Sequence, residues 1–328
     1  MGPRKNGDTD MNHRLGNSTK PILLIALGGN ALIQKGQKGI ITDQFENLRI
    51  PIRQIASLTI DYRIIITHGN GPQVGNLLLQ QESCDAVPKL PLEILVAQTQ
   101  GQIGYMIESV LDQALMEQNA DFNPLVSLIT YVVVDRADSA FADPTKPIGP
   151  FFTAAEAGKL DYPTIETPNG FRRVVASPKP ITIIEKKEIE RLLKSGFIVI
   201  CCGGGGIPVV RNGRAFNGVD AVIDKDLASA LLAAEISADV LVIATDVGGV
   251  LADFNTPKQR LIPQMQVDEA IDFLHNDKGG KGSMRPKVEA AMQFIQGGGK
   301  RAVITSIKAI CESVEGTAGT QIIQNQNP

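Results

Sequence analysis

R-I-I-I-T-H-G-N-G-P-Q-V-G-N-L-L-L-Q-Q, residues 63–81, sets strand, turn and helix side by side in one short run. Ile64, Ile65 and Ile66 have the unbroken apolar character of a strand covered on both faces. Gly69-Asn70-Gly71 turn the chain, and Val74 to Leu79 begin a helix. Glycines at such a turn let backbone N–H groups approach an anion, and the helix N-terminus adds about half a positive charge. A carboxylate or phosphate is the expected guest. One Gly-rich loop by itself is equally a tight turn without a ligand, and only its recurrence decides between the two.

The device does recur. Ile22 to Leu27 forms a second apolar run that ends in Gly28-Gly29-Asn30. Phe197 to Cys202 feeds Gly203 to Gly206, and Val240 to Ala244 feeds Thr245-Asp246. Helical periodicity falls between these strands. Asp43 with Glu46 has the spacing of a capping pair ahead of Phe45, Leu48, Ile52 and Ile55, and Pro51 should kink that helix. Further helices are predicted over about 100–118, 185–194 (stopped by Gly196), 226–236, 267–275 and 286–296. Val126 to Val134 reads as one apolar, β-branched run, and Ala302 to Thr305 as the last clear strand.

Strands alternating with helices over short links imply an α/β fold with a mostly parallel sheet covered on both faces. Ligands of such sheets bind at the carboxyl ends of the strands. The four loops all lie at those ends, which is more than one small anion needs. A nucleoside triphosphate together with a second anionic substrate would use them.

Composition narrows the field. The chain has 328 residues, 43% apolar and 20% charged, enough to bury a sizeable core. Its net charge of -3 gives no general basic field, which argues against nucleic acid. No apolar run approaches the roughly 18–20 residues that span a bilayer, which argues against a membrane protein. Cys84, Cys201, Cys202 and Cys311 show neither C-x-x-C spacing nor a His-rich cluster, and read as reduced core thiols of a cytosolic protein. Residues 1–20 are polar, lack a signal-peptide core and are expected to be disordered. Residues 21–328 are expected to form a single domain. Within it, prolines at 144, 147, 150, 163, 168, 178 and 180 break the periodicity and mark an inserted protruding subdomain, or lid, at about 135–180.

Most lysines of such a chain are solvated, but three stand in unusual places. Lys146 is held between Pro144 and Pro147 on a stiff loop. Lys225 lies at a helix start, where a cation opposes the macrodipole by about 0.3–1 kcal/mol, a cost that Asp224 and Asp226 offset. Lys287 follows Pro286, again in a first turn, after the loop Gly279 to Met284. Phosphoryl transfer asks a protein chiefly for positioning and charge neutralisation. An acid acceptor is already an anion and needs no general base, which suits a chain whose histidines are His13, His68 and His275. His68 abuts the central turn, where such a residue more often bonds the turn than a substrate.

Taken in order, Leu27 to Ala31, Thr67 to Gly75, Pro144 to Gly149, Gly203 to Pro208, Val222 to Asp226 and Gly282 to Lys287 resemble the carbamate kinase family, over essentially all of residues 22–323. The resemblance implies the amino-acid kinase fold: a three-layer αβα sandwich, a protruding lid subdomain and a homodimer. It also implies reversible transfer between ATP and carbamate, giving ADP and carbamoyl phosphate, with Mg²⁺ as cofactor and no direct protein ligand to the metal assigned. ATP synthesis in arginine catabolism is the implied setting. On the same resemblance Lys146, Lys225, Lys287 and Asp224 are catalytic. Gly28, Gly29, Asn30, Gly69, Asn70 and Gly71 bind substrate and phosphate. Gly204, Gly205, Asp226, Thr245, Asp246, Ser283 and Met284 bind nucleotide.

Two departures from the family pattern stand out. Glu166 to Phe171 lacks the Gly-Arg-Gly that usually precedes Arg172-Arg173, which bears on the identity of the acceptor. Arg285 replaces a common Gly, adding bulk and charge beside the nucleotide region. Three other readings compete. Gly69-x-Gly71-x-x-x-Gly75 resembles a nicotinamide fingerprint, but Glu82 arrives too early for a ribose-binding acid about 20 residues on. A non-catalytic nucleotide-binding paralogue would not need all the lysines. A kinase of a related small carboxylate or carbamate-like acid stays within the same chemistry. No G-x-x-x-x-G-K-[ST] P-loop occurs.

Overall fold

Alternation of side chains along one parallel sheet divides the interior into two cores. The computed structural model describes residues 19–118, 124–167, 170–254, 256–275 and 284–325; the N-terminal 18 residues and Ser283, both subjects of the expectations above, lie outside them. The chain opens with β1 (Ile22–Leu27), α1 (Ile41–Leu58), β2 (Arg63–His68), α2 (Gly71–Glu82) and α3 (Leu92–Glu117). Next come β3 (Leu125–Ser127), β4 (Tyr131–Val134), β5 (Lys146–Phe152), α4 (Ala154–Ala157), β6 (Thr164–Thr167), β7 (Gly170–Val175) and β8 (Pro180–Ile183). Then follow α5 (Lys186–Lys194), β9 (Ile198–Ile200), β10 (Ile207–Asn212), β11 (Ala215–Gly218), α6 (Lys225–Glu235) and β12 (Val240–Thr245). The last are β13 (Leu251–Ala252), β14 (Arg260–Leu261), β15 (Gln264–Gln266), α7 (Val267–His275), α8 (Met284–Gln296), β16 (Arg301–Ser306), α9 (Ile310–Glu315) and β17 (Thr320–Ile323).

The main sheet has the order β15-β17-β16-β12-β1-β2-β9-β3. From β16 to β3 every neighbour is parallel, and β17 turns antiparallel against β16. Leu23, Ile25, Ile64 and Ile66 face a core closed by α1, α3 and α9. Leu24, Ala26, Ile65 and Val199 face the other, closed by α5, α6, α7 and α8. This is the three-layer αβα arrangement. Beside it stand a four-stranded sheet, β11-β10-β4-β8, and a three-stranded antiparallel sheet, β5-β7-β6, formed by the proline-rich stretch.

Several local expectations are corrected. Asp43 does not cap its helix: α1 begins at Ile41 with Ile40 at the N-cap, and it continues through a buried Pro51 as one element. The proline ring packs into the core, so burial outweighs the lost backbone bond. α3 begins at Leu92 rather than near 100, because Leu92, Leu95 and Val96 pack against α2 and β10. Val126 to Val134 is two strands in different sheets, β3 pairing with β9 and β4 with β10. Cys201 and Cys202 are buried as expected, but Cys84 is exposed, so the core description does not extend to it. Gly196, with φ +86°, ends α5 as foreseen.

Candidate active site

Strands β12, β1, β2 and β9 are consecutive and parallel, so their four terminal loops share one edge of the sheet. The loops pack on one another at backbone distance. A Cβ on Gly69 would lie 3.2 Å from the Gly29 nitrogen, and one on Gly28 would lie 3.0 Å from the Ala244 oxygen. Gly204, at φ +68°, leaves room for the Asn70 amide: a Cβ there would lie 2.1 Å from its Nδ2. Close approach and a positive φ together require glycine at 204, while a side chain at Gly28 or Gly69 would be crowded by neighbouring backbone.

The donors divide unevenly. Gly28 N–H donates to the Ala244 carbonyl at 2.9 Å and Gly69 N–H to the Leu27 carbonyl at 3.0 Å. Both amides are occupied in extending the sheet, so these two glycines supply proximity rather than donors to an anion. The first turn of α2, which begins at Gly71 with Pro72 following, has backbone N–H groups without intrahelical partners, an end at which negative charge is favoured.

Against that terminus lies a cavity of about 280 Å³ lined by Gly69, Asn70, Gly71, Gly204, Lys146, Asp224, Lys225, Asp226 and Lys287, among others. Lysines from three distant segments therefore converge. Lys146 enters from the start of β5 and meets Asp224 Oδ2 at 3.2 Å. Lys225 and Lys287 both bond Asp226, at 2.5 Å to Oδ1 and 2.8 Å to Oδ2. Asp224 also caps α6, its Oδ1 accepting from the N–H groups of Asp226 and Leu227. One short acidic turn thus orients all three cations.

Burial makes this cluster strongly coupled. Asp226 is 3% exposed and Lys287 8%. Burial pushes the Asp226 carboxyl upward, but Lys225 and Lys287 outweigh it and hold the pKa down to about 2. Burial lowers the Lys225 pKa; Asp226 opposes this, and the Lys287 charge adds to it. His68 is buried, and desolvation lowers its pKa to about 4, with the Lys225 charge adding to the effect and its bond to Gly69 opposing it. Its Nδ1 donates to the Gly69 carbonyl at 3.1 Å, so it holds the turn as a neutral ring.

Not every expected residue reaches the cavity. Gly205 packs against Ile223, whose oxygen would lie 2.4 Å from a Cβ there. Thr245 ends β12 and its hydroxyl donates to the following Asp246 at 3.1 Å, and Met284 opens α8; none of the three lines the cavity. Gly29 and Asn30, both half-exposed, belong to a 3-10 turn beside the Gly69 loop and do not line that cavity. Arg285 is exposed and donates to the Leu274 carbonyl at 2.7 Å. Directly after the departing segment, Arg172 donates to the Gly149 carbonyl, and Arg173 pairs with Asp220 at 2.7 Å. Thr99 and Gln100 of α3 were not anticipated: Thr99 holds the Asn70 side chain, and Gln100 holds the Gly203 carbonyl. Their signal was a polar Thr-Gln pair within an apolar helix stripe.

A parallel-sheet edge carrying glycine turns and converging lysines defines a phosphate-handling α/β protein, and the chain belongs to the amino acid kinase family, which it matches over residues 21–306. Carbamate kinases are among its relatives there. One from Thermococcus kodakarensis is 44% identical over 312 residues, 92% of this chain and 99% of that protein. Another, from Haemophilus influenzae, is 44% identical over 305 residues, 92% of this chain and 96% of that protein. The structure of carbamate kinase from Giardia lamblia bound to AMP-PNP is 38% identical with a TM-score of 0.88, covering 94% of this chain and 100% of that one.

Proposed function

We propose that the protein is a phosphotransferase that moves the γ-phosphoryl group reversibly between ATP and carbamate, giving ADP and carbamoyl phosphate. The observation that carries this is the meeting of Lys146, Lys225 and Lys287 at one cavity beside the α2 N-terminus. Full-length similarity to carbamate kinases supports the choice of acceptor. A carbamate oxygen attacks the γ-phosphorus, and the bond from phosphorus to the β,γ-bridging oxygen breaks. No proton need be moved, in keeping with a neutral His68 confined to the turn.

In this account Lys225 and Lys287 neutralise the transferring group, Asp226 holds them together, and Lys146 reaches the acceptor from β5. The three-stranded sheet β5-β7-β6 serves as the lid. No group of three or more His, Cys, Asp or Glu side chains among the described residues is placed to hold a metal, and Asp224 and Asp226 are bonded to lysines. That donor set fits a Mg²⁺ ion entering on the phosphates of ATP, a hard cation that keeps several waters, with Asp224 and Asp226 orienting it. Bound there, it would neutralise charge on the transferring group.

We further propose a cytoplasmic homodimer. Ile50 of α1 and Tyr105 and Met116 of α3, apolar side chains exposed on the outer layer, support the dimer. No helix among the described residues is long and apolar enough to cross a membrane. Activity is tested by ATP formation from ADP, Mg²⁺ and carbamoyl phosphate. Lys225→Ala should abolish it, and retained turnover would remove Lys225 from the mechanism.

A further inference from the structure

Hydrogen-bond polarity fixes what the cavity offers besides positive charge. The Thr99 hydroxyl donates to the Val96 carbonyl at 2.8 Å, an oxygen that only accepts. Thr99 Oγ1 must then accept from Asn70, at 2.9 Å, and that requires the amide nitrogen to face it. The orientation of the Asn70 amide follows from this chain of donors. Its Oδ1 accepts no hydrogen bond among the described residues, and Asn70, 8% exposed, lines the cavity. Gly204 leaves the space in which the amide sits. The cavity carboxylates, Asp224 and Asp226, are already bonded to lysines. A neutral acceptor is thus presented among cations.

Cations and helix N–H groups recognise the carboxylate or phosphate of any acyl phosphate alike. They do not read the group on the other side of the acyl carbon. Carbamate carries an amino group there, with N–H donors; acetate carries a methyl group of similar size. We infer that Asn70 Oδ1 reads the amino group of carbamate and carbamoyl phosphate, and that Thr99 is the positioning residue that keeps this oxygen turned to the substrate. The inference rests on the carbamate reading of the same site. A site built to bond an N–H rejects the analogue lacking it, because its acceptor is left unpaired.

The test compares kcat/KM for ATP formation from ADP with carbamoyl phosphate and with acetyl phosphate. Wild-type protein should prefer carbamoyl phosphate. Asn70→Ala should lower the ratio at least about tenfold, mainly by losing carbamoyl phosphate turnover. Thr99→Val, which frees the amide to turn, should lower it by about threefold or more. Thr99→Ser keeps the hydroxyl and should keep the ratio. A poorly folded variant loses both substrates together, so the ratio separates recognition from stability. A ratio unchanged in Asn70→Ala and Thr99→Val, or no preference in wild type, overturns the inference alone. ATP from acetyl phosphate but none from carbamoyl phosphate overturns the carbamate reading and this inference with it.

Discussion

Asp226→Asn removes the charge that lets two buried ammonium groups share one site. Asp226 bonds Lys225 and Lys287 through its two oxygens, and all three side chains are nearly buried. Breaking a buried pair by neutralising one partner costs about 3–5 kcal/mol, since the remaining charge stays desolvated. The protein has one relief: a lysine can deprotonate. At pH 7 that costs about 4.6 kcal/mol against an unfolded pKa near 10.4, which caps the penalty. The cap shrinks by about 1.4 kcal/mol per pH unit, reaching about 2 kcal/mol at pH 9. The sign follows from proton counting. In the variant the unfolded chain holds a proton that the folded lysine has given up, so stability rises with pH until the unfolded lysine titrates. Urea unfolding of wild type and variant at pH 7, 8 and 9 measures the gap. The expected difference is about 4 kcal/mol at pH 7, narrowing to about 2 at pH 9. A difference below 1 kcal/mol, or one independent of pH, would refute the coupled cluster.

Other consequences are open to direct measurement. His68, held neutral with a pKa near 4, should lower stability as pH falls from 6.5 toward 4, by about 2 kcal/mol at pH 5. Comparing the pH slope of Tm with that of His68→Gln checks this, since the variant should lack that component. Gly204→Ala combines a positive φ, costing about 1–2 kcal/mol, with displacement of the Asn70 amide; it should lower Tm and reduce turnover together. Arg173→Ala removes the Asp220 ion pair and the stacking on Tyr162, 4.8 Å from its ring centroid, that fix β7, the strand on which Val175 faces Lys146. Stability should fall by only about 1–2 kcal/mol. Hydrogen exchange across residues 146–152 should quicken and KM for carbamoyl phosphate rise; unchanged exchange would contradict the tether.

The sequence carried the elements of the fold more clearly than their arrangement. Ile64 to Ile66 and Val240 to Ala244 announced strands covered on both faces, since no polar residue interrupts them. Which strands lie side by side is decided across distances that local pattern does not span: Leu24 pairs with Leu241, and Ile66 with Ile200. The same limit hid the division of Val126 to Val134, where continuous hydrophobicity masks a change of sheet. In the site, Lys225 and Lys287 were conspicuous as cations at the wrong ends of helices. Their shared partner was not, because Asp226 and Lys287 meet only in the folded chain. Gly28 shows the opposite failure: its motif suggested a phosphate donor, while the strand geometry commits its N–H to Ala244. Thr99 was legible as a polar residue in an apolar stripe, but only the bond to Asn70 gives it a task.

The destination of the phosphoryl group tests the central claim most directly. Purified protein with ADP, Mg²⁺ and carbamoyl phosphate can be followed by ³¹P NMR, which separates transfer to ADP from release to water. The account predicts ATP resonances growing as carbamoyl phosphate disappears, at a rate far above its spontaneous breakdown and absent in Lys225→Ala. Carbamoyl phosphate decaying to inorganic phosphate at the uncatalysed rate, with ADP unchanged, would contradict it.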